Sequence, residues 1–236
     1  MKFIRLFNYI FVALKIVFIN LLKYFSKTEN YQPAFTNGKR IFFLKKDSTG
    51  KRSSDSRWES ISKNIDSSRR SFMDIGSQHG YFVLNAEKLG FTSIGVEMSY
   101  PSYVFSKTLA DLNDSKKAFF INEEINVKNV DTLPSSDIIC FLSVFHHIVH
   151  FQGYDSAIHI LRTLSMNAKD TLFFETGEYE EKEQYWTEAM SFLNNNTRDE
   201  MIKIFESFGC FKSIEIISEN ETHLNGHKRL LFKCQK

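Results

Sequence analysis

The sequence from residue 71 to residue 236 alternates between short apolar runs and stretches with helical spacing of apolar positions. Short apolar runs predict buried strands, and the stretches between them predict helices. The predicted strands are SFMDIG, TSIGVE, AFFIN, DIICFLSV, DTLFFET, KSIEIISE and RLLFKC. The predicted helices are YFVLNAEKLG, SYVFSKTLADL, YDSAIHILRTLSM and RDEMIKIFESFG. This order predicts an α/β fold, with a mainly parallel seven-stranded sheet covered by helices on both faces.

Residues 1–28 have a different pattern. On a helical wheel their basic and amide side chains fall within roughly 140° of arc, opposite a face of Phe, Ile, Leu and Val. The polar residues are Lys2, Arg5, Asn8, Lys15, Asn20, Lys23 and Lys27. Since Lys15 interrupts the apolar run, an amphipathic helix in the plane of an anionic membrane is favoured over a spanning helix. Packing of this helix on the protein itself or on a partner stays open as the alternative.

Charge is distributed unevenly along the chain. Up to Arg70 there are 15 basic and 5 acidic residues, a net charge of +10, whereas the remainder has 15 basic and 23 acidic residues, a net charge of −8. We expect the basic first third and the acidic body to contact different partners. The three cysteines lack C-x-x-C spacing, which argues against a disulfide framework and a structural zinc site and favours an intracellular protein.

The turn after the first predicted strand, DIGSQHGYF, has the glycines of a ligand-binding turn. Gly76 permits a tight turn, and Gly80 lets the next helix pack closely with its amide end toward a ligand. A dinucleotide-binding loop would need glycine at positions 76, 78 and 81, whereas this chain has Gln78 and Tyr81. The turn therefore argues against a cofactor with a pyrophosphate group.

Two acids at strand ends indicate what the ligand contains instead. Glu97 follows Gly76 by 21 positions and ends the second strand, where it can accept hydrogen bonds from two ribose hydroxyls. Asp74 can orient the turn or accept from a cationic amine. A nucleoside with a ribose and an amino-acid tail but no diphosphate fits this combination, and S-adenosylmethionine has that shape.

The segments FMDIGSQHGYFVLNAEKLGFTSIGVE and DIICFLSVFHHIVH resemble the class I S-adenosylmethionine-dependent methyltransferases, with a Rossmann-like fold over residues 71–236. More narrowly, LSVFHHIVH, EKEQYW and THL resemble the methyltransferase part of the bifunctional methyltransferase/kinases that terminate bacterial O-polysaccharide chains. Those enzymes are in turn similar to RNA 5′-phosphate methyltransferases of the bicoid-interacting type.

The resemblance implies which residues contact the cofactor. It implies that Tyr31 and Arg57, upstream of the glycine turn, help to hold it, so that residues 29–70 form a basic connector that covers the cofactor. Asn122 and Glu123 follow the third strand, where the family contacts adenine. The predicted cofactor-binding residues are Asp74, Gly76, Ser77, His79, Gly80, Tyr81, Phe82, Glu97, Met98, Asn122, Glu123, Leu142, Ser143, Tyr31 and Arg57.

Three histidines, His146, His147 and His150, follow the fourth predicted strand within five positions. A zinc site would need further Cys, His or carboxylate ligands, so we predict no metal and place the histidines on the acceptor side of a methyl-transfer pocket. A neutral histidine could accept the proton of a hydroxyl, whereas a phosphate oxygen needs no base. His146 could instead only hold the strand-to-helix corner. Together with Glu175, which ends the fifth strand, the histidines are the catalytic candidates.

The acceptor-binding candidates lie later in the chain. They are Tyr185, Trp186, His223 and Arg229. We predict an O-methyltransferase acting on a glycan or glycolipid, at a hydroxyl or a phosphorylated terminus, in cell-envelope polysaccharide biosynthesis. The enzyme is expected in the cytoplasm, peripheral at the inner face of the membrane through residues 1–28. An RNA methyltransferase is the alternative, supported by the basic connector of residues 39–70.

Overall fold

The structure is a computed structural model. It describes residues 53–222 and 226–236 throughout, and residues 10, 11, 13, 14, 17, 18, 21, 32, 33, 35, 36, 39 and 40 at the N-terminal end. Residues 35–36 and 39–40 form a short antiparallel pair of strands. The described residues between 10 and 21 are helical, and the rest of the predicted N-terminal helix lies outside the described residues.

Seven strands form one sheet, as the apolar runs predicted. The strands are β1 (Ser71–Ile75), β2 (Thr92–Glu97), β3 (Ala118–Asn122), β4 (Ser136–Leu142), β5 (Ala168–Glu175), β6 (Ser213–Glu221) and β7 (Lys228–Gln235). Their order in the sheet is β3-β2-β1-β4-β5-β7-β6. Strands β1 to β5 are parallel, whereas β7 lies antiparallel between β5 and β6. The predicted fold class is therefore confirmed.

Helices connect the strands. They are α1 (Ser54–Lys63), α2 (Tyr81–Lys88), α3 (Tyr100–Leu112), α4 (Phe145–Gln152), α5 (Tyr154–Asn167) and α6 (Thr197–Phe208). Short 3-10 helices cover Val130–Thr132 and Thr187–Leu193. The limits of α4 could not be predicted, because the apolar run of β4 continues into it almost without a polar break.

The alternation of side chains along the strands divides the core into layers. Phe173 and Phe174 are neighbours on β5, yet they belong to different apolar clusters on opposite faces of the sheet. Phe174 packs with residues of α4, α5 and α6, and Phe173 packs with residues of α1 and α2. The sheet is therefore covered on both faces. The buried carboxyl groups of Asp74, Glu97 and Glu175 lie at or next to the carboxyl ends of their strands, where ligands bind in such sheets.

Among the residues that the structure describes, no helix is both long enough and apolar enough to cross a membrane.

Candidate active site

The turn between β1 and α2 needs its glycines. Gly76 and Gly80 have φ of +77° and +76°, values that residues other than glycine rarely adopt. A Cβ on Gly76 would lie 2.3 Å from Val144 Cγ2, and one on Gly80 would lie 2.6 Å from the Phe120 ring. Gln78 also adopts a positive φ, of 47°. The turn therefore closes with the non-glycine residue Gln78 in the left-handed region.

Glu97 ties this turn to the end of β2. Its Oε2 accepts the N–H of Gln78 at 2.8 Å, and its Oε1 accepts the N–H of Ser99 at 2.7 Å. Both oxygens of the carboxylate are therefore fixed by backbone N–H groups at the carboxyl end of β2. The Asn122 side chain donates to the carbonyls of Glu97 and Met98 at 2.7 and 3.1 Å and so fixes the adjoining chain.

Gln32 caps the start of α2 from a distant part of the chain. Its side-chain oxygen accepts the N–H groups of His79 at 3.1 Å and Tyr81 at 3.2 Å, contacts that span 47 and 49 residues. Gly80 lacks the side chain with which most helices satisfy these donors. The Tyr81 hydroxyl in turn donates to Asp55 at 2.6 Å. The segment before the sheet therefore contributes directly to the geometry of the turn.

Two cavities meet above the carboxyl ends of β1 and β4. The first has a volume of about 370 Å³ and is lined by residues that include Arg57, Asp74, His146, Trp186 and Arg229. The second has a volume of about 340 Å³ and is lined by residues that include Glu97, Met98, Glu123 and Ile125. Both cavities are lined by Gly76, Ser143, Val144, His147 and Tyr185. A two-part ligand could therefore pass from one cavity to the other beside His147.

Asp74 places a buried carboxyl group at the wall of the first cavity. The residue is 2% exposed, and its Oδ2 atom has no hydrogen-bond partner among the described residues. Burial and the nearby Glu97 carboxylate raise the pKa of Asp74 well above its ordinary value. A cation bound in the cavity would compensate this buried carboxylate, as a ligand ammonium group would.

A chain of buried ionic contacts runs beneath the first cavity. The Arg57 guanidinium donates to both oxygens of Glu175, at 2.7 and 3.0 Å. Glu175 also accepts the Ser143 hydroxyl at 2.6 Å, and Ser143 accepts from Arg229 at 3.1 Å. Arg229 completes the chain by donating to both oxygens of Glu181, at 2.7 and 2.6 Å. The chain joins α1 to the segment after β5, which carries Glu181.

His146 is held as a neutral, fully buried ring. Its Nδ1 accepts the N–H of Gly177 at 2.8 Å, which places the ring proton on Nε2. The ring lies between His147 and Trp186, with centroid distances of 4.1 and 4.4 Å. Burial, followed by the charges of Arg229 and His147, holds the pKa of His146 well below its ordinary value. This geometry suits a positioning role at the strand-to-helix corner.

His147 lies where the cavities meet. Its Nδ1 is 2.7 Å from the Tyr185 hydroxyl, and the two rings are nearly parallel. His150 is exposed and packs against Phe151 and Tyr185, with centroid distances of 4.7 and 5.0 Å, and lines neither cavity. Within the described part of the chain, no group of three or more His, Cys, Asp or Glu residues could hold a metal ion.

The structure brings most of the predicted site residues together. The first cavity is lined by Arg57, Asp74, Gly76, Phe82, Leu142, Ser143, His146, His147, Tyr185, Trp186 and Arg229. The second is lined by Glu97, Met98 and Glu123, together with Gly76, Ser143, His147 and Tyr185. Ser77, His79, Gly80, Tyr81 and Asn122 shape the turn and its surroundings, and Glu175 lies beneath the first cavity. Tyr31 and His223 lie outside the described residues.

Gln32 and Glu181 line or support the site but were not predicted from the sequence. Glu181 pairs with Arg229 across 48 residues, and the partners of Gln32 are equally distant. No local pattern marks such contacts. The acid-rich segment GEYEEKEQYW was the one signal that could have directed attention to Glu181.

Comparisons with known proteins agree with this geometry. The chain is 25% identical over 166 residues to two Escherichia coli proteins described as O-antigen chain terminator bifunctional methyltransferase/kinase WbdD. No family model matches the sequence. The crystal structure of WbdD superposes with a TM-score of 0.67 at 24% identity, over 78% of this chain and 40% of that chain. This chain has the class I methyltransferase fold.

A second structure with this fold is that of magnesium protoporphyrin IX methyltransferase (ChlM) from Synechocystis PCC 6803, determined with bound S-adenosylmethionine. It superposes with a TM-score of 0.58 at 16% identity, over 77% of each chain. The match to the curated WbdD proteins covers 68% of this chain but 21% of theirs, so this chain spans about a fifth of their length. The resemblance to class I methyltransferases that the sequence predicted is confirmed.

Proposed function

We propose that the chain is an S-adenosylmethionine-dependent O-methyltransferase. The observation that carries the proposal is the pair of cavities that meet beside His147, with the buried Asp74 carboxylate in one and Glu97 in the other. A methyl donor with a cationic amino-acid tail, a sulfonium centre and a ribose matches this order of groups. S-adenosylmethionine would supply an electrophilic methyl group, and the chain would align it with the acceptor and exclude water.

Particular residues would hold each part of the donor. Asp74 would pair with its ammonium group, and Arg57 would contact its carboxylate from the wall of the first cavity. Glu97 would accept hydrogen bonds from the ribose hydroxyls, while Met98 and Glu123 would border the adenine. The closely packed Gly76 and Gly80 let the backbone approach the ligand.

For the acceptor we propose a glycan or glycolipid of the cell envelope. The support is that the WbdD relatives are described as O-antigen chain terminators and that Tyr185 and Trp186 form an aromatic wall in the first cavity. Aromatic rings with a polar edge suit ligands that are apolar on one face and wet on another, as sugars are.

The N-terminal helix would bring the enzyme to its acceptor at the inner face of the membrane. Its described large apolar side chains are each between 50% and 62% exposed, so each leaves at least half of its surface open. They are Ile10, Phe11, Leu14, Val17, Phe18 and Leu21. The sequence has no acidic residue before Glu29, which favours contact with anionic lipid.

Donor binding and acceptor choice can be tested separately. Calorimetry with S-adenosylmethionine should show binding to the full chain and a loss of about 1.5 to 3 kcal/mol in Glu97→Ala, the range for hydrogen bonds to a charged group. Labelled donor should then be supplied with cell-envelope extract and, in parallel, with total RNA. Label in the envelope fraction supports the proposal, whereas label in RNA alone would favour the alternative suggested by the basic connector.

A further inference from the structure

The ring of His146 is fixed from several sides. It lies between His147 and Trp186, with centroid distances of 4.1 and 4.4 Å. A Cβ on Gly177 would lie 3.0 Å from Cγ of His146, so the backbone after β5 packs directly against the ring. These contacts hold the ring in one orientation at the wall of the first cavity, which His146 helps to line.

One nitrogen of this ring is committed to the protein. Nδ1 of His146 accepts the N–H of Gly177 at 2.8 Å, and the Thr176 hydroxyl lies 3.5 Å from the same nitrogen. A backbone N–H can only donate, so Nδ1 carries no proton. The low pKa of His146 keeps the ring neutral. A neutral ring without a proton on Nδ1 has it on Nε2, which is therefore a hydrogen-bond donor.

The N–H at Nε2 of His146 has no partner within the described part of the protein, because both polar contacts of this side chain are made by Nδ1. The indole nitrogen of Trp186 also lacks a partner and is fully enclosed, whereas Nε2 of His146 is not. His146 is 1% exposed and lines the first cavity, so a partner for Nε2 can reach it from that cavity. An unpaired donor in a nearly buried ring is unfavourable, so a ligand oxygen that accepted from it would be stabilised.

The surroundings of His146 place it at the acceptor end of the first cavity. The proposed contacts of the methyl donor are with Asp74 and Arg57 for the amino-acid tail and with Glu97 for the ribose. His146 lines the first cavity but not the second, in which Glu97 lies. It packs instead against Trp186, which belongs to the aromatic wall proposed for the acceptor.

We infer that Nε2–H of His146 donates a hydrogen bond to an oxygen of the acceptor and thereby selects which neighbouring oxygen is methylated. The inference rests on the proposed methyltransferase function and adds to it a contact that decides specificity. A donated hydrogen bond withdraws electron density from the oxygen that receives it. The contact therefore suits an oxygen beside the nucleophile and not the nucleophile itself. A hydroxyl or ring oxygen of a sugar and a non-reacting oxygen of a phosphoryl group can each accept such a bond.

The position of the ring proton can be tested without any acceptor. Long-range 1H–15N correlation NMR is recorded on the full chain with 15N-labelled histidine, and a His146→Asn sample assigns the signals of residue 146. The chemical shifts should show a protonated Nε2 and an unprotonated Nδ1. A proton on Nδ1 would overturn the inference whatever molecule the enzyme methylates.

Two substitutions separate the roles of the two nitrogens. His146→Asn places an amide oxygen near the position of Nδ1, whereas His146→Gln places an amide N–H near the position of Nε2. The assay is incorporation from labelled S-adenosylmethionine into serial dilutions of cell-envelope extract. His146→Asn should raise the extract concentration for half-maximal incorporation about tenfold, as for a hydrogen bond lost from a nearly buried group, and His146→Gln should raise it less than about threefold. Calorimetry should give both variants the original affinity for S-adenosylmethionine.

His159→Asn is the matched control, because His159 is exposed on α5 and lines neither cavity. It should change incorporation less than about twofold, as is usual for a surface substitution. A ring with only a structural role would favour the variant that keeps the contact with Gly177, so a His146→Asn protein as active as His146→Gln, or more active, would overturn the inference. A matching loss of affinity for S-adenosylmethionine would overturn it too, because Nε2–H would then serve the methyl donor.

The source of the acceptor is separated from this contact by a parallel assay with total RNA. Label in RNA alone would overturn the proposed glycan acceptor, and the same variants compared on RNA would then decide the role of His146. Absence of S-adenosylmethionine binding to the original protein would overturn the proposed function and this inference with it.

Discussion

Mutation of Glu175 at the end of β5 should destabilise the protein mainly by breaking its ion pair with Arg57. Glu175 has no exposed surface, and its carboxylate accepts two hydrogen bonds from Arg57 and one from Ser143. Glu175→Gln keeps the size of the side chain but removes the negative charge that faces the 7% exposed Arg57. Removing one partner of a buried pair costs about 3 to 5 kcal/mol. In a protein of this size that loss lowers Tm by about 6 to 20 °C.

The assay is urea unfolding followed by circular dichroism, applied to Glu175→Gln, Arg57→Met and the double variant Arg57→Met/Glu175→Leu. The double variant should be more stable than either single variant, because no buried charge is left without a partner. The matched control is Glu59→Gln, which breaks an exposed pair with Lys63 on the same helix and should not measurably change stability. A loss below about 1 kcal/mol in Glu175→Gln, or a double variant as unstable as the sum of both single variants, would refute the reasoning.

Three further predictions concern stability. Burial and the acids Glu180 and Glu181 raise the pKa of Glu178 to about 7. The folded state therefore favours the protonated form of Glu178, and the stability that this contributes is lost as pH rises from about 4.5 toward 7. Between pH 5 and pH 8 the Tm of Glu178→Gln should fall less than the Tm of the original protein. Parallel curves of Tm against pH for the two proteins would contradict this. Gln32→Ala should cost about 1 kcal/mol in urea unfolding, as for a lost helix cap, and should weaken donor binding in calorimetry; unchanged values would remove Gln32 from the site. Gly80→Ala should lower the free energy of unfolding by about 1 to 3 kcal/mol more than Gly90→Ala. Both glycines have positive φ, but only a Cβ at position 80 would collide with Phe120. Equal losses in the two variants would show that Phe120 can move away from the new Cβ.

The fold could be predicted because its signals are local. Each strand is a short apolar run, and a buried strand such as DIICFLSV needs no distant information to be recognised. The glycine turn was recognisable for the same reason, since the positive φ at residues 76 and 80 is a local backbone conformation that favours glycine.

The arrangement of the site depended on contacts that no local pattern encodes. The sequence placed Glu175 at the end of a strand, but its pairing with Arg57 joins residues 118 positions apart. Glu181 was one acid among several in GEYEEKEQYW until the structure placed it against Arg229. Which charges are neutralised therefore follows from the tertiary structure and could not be derived from the sequence.

Because Gln32 caps α2, the chain cannot be truncated at the first strand of the sheet without changing the glycine turn. A fragment that began at residue 71 would retain all seven strands of the sheet and would include every residue of the glycine turn. It would nevertheless lose Gln32 and Arg57. Two N–H groups at the start of α2 would lose their contacts with Gln32, and the buried carboxylate of Glu175 would lose its two hydrogen bonds from Arg57. The fragment could fold as a sheet and still fail to bind a donor. We therefore expect the smallest unit able to bind the donor to begin at or before residue 32, well before the first strand of the sheet.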